Sequence, residues 1–170
     1  MKGKLLTTCL ASLLLLAGCG SAEPPPDYSS PPDPEKLRAH LPDAITKDKI
    51  GGKYDKEAGI AIAKNKDTGE LFTGWIKEVR GDGAVLMSYY ENGIENGPEV
   101  TWYGSYEKPA KGNRRGEPIE AGGGTMASGW NLNGKRHGAY RFWGKDGELR
   151  LDERYEHGKL VERNGKPVDE

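Results

Sequence analysis

The stretch "NGKRHGAYRFWGKDG", Asn133–Gly147, decides the fold. It sets three turn-forming dipeptides, Asn133-Gly134, His137-Gly138 and Asp146-Gly147, around a basic pair and an aromatic run. Asn-Gly and Asp-Gly are strong hairpin signals, because both central residues of a type I′ turn need positive φ. Three functions compete for "NGKRHG": a phosphate-gripping loop, a metal-binding or catalytic histidine, or a chain reversal in a repeated fold. Histidine chemistry needs partners, and the only other histidines are His40 and His157. His137 and His157 each stand just before a glycine, where a side chain that tolerates positive φ is useful. The expectation is a chain reversal, with Lys135 and Arg136 keeping the turn soluble.

Outward from this stretch the same signals recur. Asp82-Gly83, Asn92-Gly93, Asn96-Gly97, Asp146-Gly147, His157-Gly158 and Asn164-Gly165 bracket short runs rich in aromatic and branched residues: "LFTGWIKEV", "AVLMSYY", "PEVTWY", "AYRFW" and "ELRLDERY". Their lengths suit strands and not helices. Gly74 to Gly83 repeats as Gly138 to Gly147, Gly93 to Gly97 repeats as Gly134 to Gly138, and Trp102 and Trp143 follow Gly97 and Gly138 at one offset. Gly97 to Gly138 exceeds Gly74 to Gly97 by eighteen residues, an excess assigned to an insertion at about 105–124. Periods above about 20 residues signal stacked units that cannot bury an apolar face alone. The fold expected is mainly β: antiparallel hairpins stacked into an elongated twisted sheet, cornered by Gly74, Gly83, Gly93, Gly97, Gly134, Gly138, Gly147 and Gly158. Alternation puts Phe72 and Ile76 on one face, and Leu71, Trp75 and Val79 on the other. "AGIAIAKN", Ala58–Asn65, is expected to cover the first sheet edge, and the polar terminus "VERNGKPVDE" to blunt the second.

These units resemble the MORN repeat, in which an aromatic and a glycine precede a short basic or polar stretch and another glycine. The layout "GELFTG", "YYENG", "TWY", "RFW", "YEHG" over Gly69–Gly165 resembles the bacterial YwqK-like variant. That resemblance implies an antitoxin or immunity role. The chain departs from the pattern at Trp130, one residue further from its glycine than Tyr90 and Tyr155, and at Glu162, where a second glycine is expected.

The N-terminus points to an address. Met1-Lys2-Gly3-Lys4 is basic and Leu5–Leu16 largely apolar, too short for the roughly 20 residues of a spanning helix. Residues 1–18 are expected to be a cleaved signal peptide. Leu16-Ala17-Gly18-Cys19 resembles a bacterial lipobox, which implies diacylglycerol on the Cys19 thiol and an envelope location. Gly20 and Ser21 after it resemble cargo of an outer membrane in a two-membrane cell. Two or more acyl chains anchor stably where one does not. Residues 19–43 are Pro-rich and expected to form a semi-rigid tether, with Asp33-Pro34-Glu35 capping a one- or two-turn helix carrying Leu37 and Leu41. Residues 44–68 form an N-terminal cap region and 69–170 the repeat domain.

Removing Lys2 and Lys4 takes the formal charge from −1 to −3, so nucleic acid is not an expected partner. Cys9 leaves with the signal peptide and Cys19 is consumed by lipid, which excludes disulfides and cysteine metal sites. There is no serine elbow and no phosphate loop, and acids such as Glu78, Glu99, Asp152 and Glu153 lie in strands whose alternation sends them to solvent. No catalytic residue, cofactor or metal is expected. The candidate partner contacts are Lys108, Lys111, Arg114 and Arg115 in the insertion, with Trp75, Trp102 and Trp143. The expected function is a membrane-anchored, non-catalytic binding module for a protein partner, a toxin or an envelope protein. Alternatives are an envelope scaffold and a phospholipid binder acting through basic turns.

Overall fold

The computed structural model describes residues 26–106, 118–119 and 121–168. Cys19 and the insertion's Lys108, Lys111, Arg114 and Arg115 lie outside the described residues. A short helix, α1 (Pro34–Arg38), precedes the strands β1 (Ile45–Thr46), β2 (Ile50–Asp55), β3 (Ile60–Asn65), β4 (Gly74–Val79), β5 (Val85–Glu91), β6 (Ile94–Trp102), β7 (Ser105–Tyr106), β8 (Pro118–Ile119), β9 (Thr125–Leu132), β10 (Lys135–Trp143), β11 (Leu149–Glu156), β12 (Lys159–Arg163) and β13 (Lys166–Pro167). Nine strands form one open sheet in the order β1-β4-β5-β6-β9-β10-β11-β12-β13, antiparallel except for β1 against β4. β2–β3 and β7–β8 are separate two-stranded sheets, the latter at the base of the insertion.

The repeat is visible in the corners. Asn92-Gly93, Asn133-Gly134, His157-Gly158 and Asn164-Gly165 hold positive φ at both positions, as type I′ turns require. The Gly83 and Gly147 turns share a second design. Arg80 N–H donates to Ala84 O at 2.8 Å and Gly144 N–H to Glu148 O at 2.9 Å. Inside them the Asp82 and Asp146 carboxylates accept the N–H two residues on.

Three expected corners are not corners. Gly74 opens β4, Gly97 lies within β6 and His137-Gly138 within β10. Strand pairing slips opposite Gly97, between Ser88 and Tyr90, and beside Gly138, between His137 and Tyr140. The second glycine of each "NG…G" unit is therefore a bulge residue that absorbs extra chain and adds twist. At Gly138 it also admits the backbone of Tyr28, which occupies the space a Cβ would take.

The sheet's first face carries Trp75, Val85, Met87, Val100 and Trp102, the last four fully buried. Leu37, Leu41 and Ala44 pack onto it. Asp33 caps α1 through the N–H groups of Glu35 and Lys36, as its sequence predicts. Arg38 ties the helix down by donating to the carbonyls of Ala121 and Gly123. The described part of the Pro-rich segment is a strap along this face. Ala139 N–H donates to Tyr28 O at 2.8 Å, Trp130 Nε1 to Ser30 O at 2.7 Å and Ser128 Oγ to Pro32 O at 2.8 Å. Proline removes a donor but leaves the carbonyl, so such a segment docks by accepting.

The first sheet edge differs from expectation in detail. β1, and not Ala58–Asn65, pairs with the edge of β4. β3 is spent elsewhere: one side pairs with β2, and on the other Ala63 N–H donates to Gly93 O and Ala63 O accepts from Phe72 N–H. The opposite edge ends in the two-residue β13, where Pro167 blunts it.

Trp102 is the largest fully buried side chain, and its indole N–H has no acceptor among the described residues. Trp102→Ala is expected to cost about 3–5 kcal/mol, read as a lower denaturant midpoint in equilibrium unfolding.

Candidate functional site

The sheet's second face carries a polar row crossing six strands, from β5 to β12. Cross-strand register aligns Tyr90 (β5) with Glu95 (β6), Tyr140 (β10) with Glu153 (β11), and Glu153 with Arg163 (β12). Hydrogen bonds join them. Glu99 accepts from Tyr140 OH and from Asn131 Nδ2, the latter at 3.0 Å. Arg136 Nη1 donates to Tyr155 OH at 3.2 Å, Tyr155 OH to Glu153 Oε2 at 2.7 Å, and Arg163 Nε to Glu153 Oε1 at 2.8 Å.

Gly129 makes the row possible. A Cβ there would overlap the Tyr140 ring, so its absence lets the phenol lie flat on the sheet. Over that ring stands the Arg136 guanidinium, 4.1 Å from the centroid, with Tyr155 at 5.4 Å and Phe142 at 5.8 Å. A partly desolvated cation over aromatic faces is worth about 0.5–2 kcal/mol. Arg136 is thus a seated side chain and not a solubilising turn charge.

Electrostatics follow from burial. Glu95 is pushed up to about 7, first by burial, then by the charge of Glu99, against the opposing effects of Ser88 hydroxyl and Arg136. Glu95 therefore keeps its proton well above the usual carboxylate range. Tyr140 and Tyr90 are raised by burial and then by neighbouring carboxylates, so both remain donors.

The expected solvent orientation of the acids fails here. Glu153 is 4% exposed, and Glu99 is half-buried. Alternation did place them on one face, but Tyr140, Tyr155 and Arg163 cover that face. Of the tryptophan candidates, Trp102 is buried and cannot meet a partner. Trp75 stacks on His40 with centroids 4.9 Å apart, and the Trp143 carbonyl accepts from Tyr103 OH at 2.9 Å. Both are half-buried on the strap face. His137 sits within β10, its ring 5.0 Å from Tyr28 and 5.0 Å from His157, while His40 lies against Trp75. No group of three metal-ligating side chains forms among the described residues. Nor is any described helix long and apolar enough to cross a membrane.

Sequence alone does not single out Glu95, Tyr140 and Arg163, and it presents Glu99 and Glu153 as solvent-facing acids, Arg136 as a solubilising turn charge and Tyr155 as a repeat position. The available signal was the spacing of two in Tyr140-x-Phe142 and Leu151-x-Glu153-x-Tyr155, which marks one face.

A raised folded-state pKa on a carboxyl means the native state binds more protons than the unfolded chain between about 4.5 and 7. Stability is therefore expected to be highest at the acid end of that window and to fall as pH rises through 7. Glu95→Gln should flatten the dependence and raise stability at pH 8 by on the order of 2 kcal/mol. Thermal unfolding of both chains at pH 5.5 and 8 measures this.

Comparison with protein-family models, with curated proteins and with solved structures gave no match.

Proposed function

We propose that this chain is an envelope lipoprotein, anchored through Cys19, whose MORN-like sheet is a non-catalytic docking module for a protein partner. The observation that carries the reading is the Arg136–Tyr140–Phe142–Tyr155 patch on the second face. Arg136, Phe142 and Tyr155 are half-exposed, and no described helix or strand layer is built over them. Arginine and aromatic side chains held in place by their own contacts are what binding hot spots are made of. Their low residual freedom reduces the ordering cost of association.

The polar row favours binding over catalysis. Glu99 is occupied by Tyr140 and Asn131, and Glu153 by Tyr155 and Arg163. Neither carboxylate has its oxygens free to move a substrate proton. The sharpest form of the proposal is immunity: the patch covers the active surface of a toxin that reaches the envelope, and inhibition is steric.

Two substitutions test it. A toxin encoded beside this gene is expected to kill cells lacking the protein and to spare cells that carry it. Arg136→Ala with Phe142→Ala should weaken toxin binding at least 100-fold and abolish protection, while circular dichroism shows the sheet intact. Full protection by the double variant, or no binding between the purified pair, overturns the assignment.

A further inference from the structure

The β2–β3 hairpin leans over the second face of β4 and β5, away from the arginine–aromatic patch. Alternation gives Ile50, Gly52 and Tyr54 of β2 one face of that hairpin, and register sets Ala63 opposite Gly52 and Ala61 opposite Tyr54. All five line a cleft whose floor is Ile76 and Leu86. Layers packed face to face stand about 10 Å apart and need side chains to fill the space between. Here glycine and alanine make up half of the roof, and a volume of about 310 Å³ stays open. That is the lower end of the roughly 300–1,000 Å³ of small-molecule sites.

Polar groups share the floor: Ser88, 4% exposed, stands across from Ile76 and Glu78 across from Leu86, with Tyr90 one step beyond Ser88. At the rim Lys47 is neutralised by Glu78, whereas Lys53 has no ion-pair partner among the described residues. Tyr54 lines the same cleft with 62% of its surface in water, an aromatic ring with little to pack on. Lys53 sets the polarity: its uncompensated charge attracts an anionic group, while the Lys47–Glu78 pair is neutral as a whole.

We propose that this cleft binds one amphiphile, an aliphatic chain bearing an anionic head, with the chain between Ile76–Leu86 and Ala61–Ala63 and the head at Lys53. This goes beyond protein docking and uses none of the residues on which docking rests.

The test titrates the full chain carrying Cys19→Ala, which has no lipid of its own, with a polyene fatty acid whose fluorescence rises on leaving water. Saturable binding at one equivalent is expected. Ala61→Trp, at an exposed position on the roof, should fill the cleft and weaken binding at least tenfold. Lys53→Glu on the rim should weaken it about fivefold without touching the core, and Arg136→Ala should leave it unchanged. The corresponding alcohol should bind the unsubstituted chain several-fold less tightly than the acid. Absence of saturable binding, or equal binding by Ala61→Trp and by Lys53→Glu, overturns the proposal. An alcohol that binds as tightly as the acid overturns the anionic head.

Discussion

A sheet one layer thick cannot bury its own apolar side chains, and every other feature of this molecule answers to that constraint. The first face is closed by a strap and a five-residue helix, so Trp102, Met87, Val85 and Val100 have a second wall. The strap is held by carbonyls at Tyr28, Ser30 and Pro32, each meeting a donor on β9 or β10. A proline-rich segment suits that task because it offers acceptors in an extended form and has few donors to leave unpaired. The second face is closed differently. Part lies beneath the β2–β3 hairpin, and part is sealed by its own long polar side chains lying down on glycine.

That division explains which properties of the chain were legible in its residues. The type I′ corners at Asn92-Gly93, Asn133-Gly134, His157-Gly158 and Asn164-Gly165 are local: two residues with the right φ preferences suffice. Strand lengths and the mainly β class follow from them. Bulges are not local. Asn96-Gly97 and His137-Gly138 have the composition of turns, yet the pairing of β6 and β10 with neighbours on both sides holds them extended. The docking of the strap was equally hidden, since it depends on positions some hundred residues apart, such as Ser30 and Trp130.

The candidate site was the least legible part. Alternation assigns Glu99 and Glu153 to a face, but it does not say whether that face is wet. Glu153 is buried because Tyr140 and Arg163 stand directly across from it on the two strands that flank β11. Trp102 shows the same limit from the other side. Its offset from Gly97 equals that of Trp143 from Gly138, yet one is fully buried and the other half-buried, because α1 lies over the first half of the repeat.

The docked strap also sets a leash. If Cys19 carries the anchor, the span from the lipid to the docked part of the chain ends at Tyr28 and not at Ala44. At most about 3.3–3.6 Å per residue, those nine residues hold the sheet within about 30 Å of the bilayer, against about 85 Å for an undocked segment. Confinement in so thin a shell raises the effective concentration of the sheet toward anything else held at the same surface. With that anchor in place, the three-carbonyl attachment would act as a tuner of encounter rate.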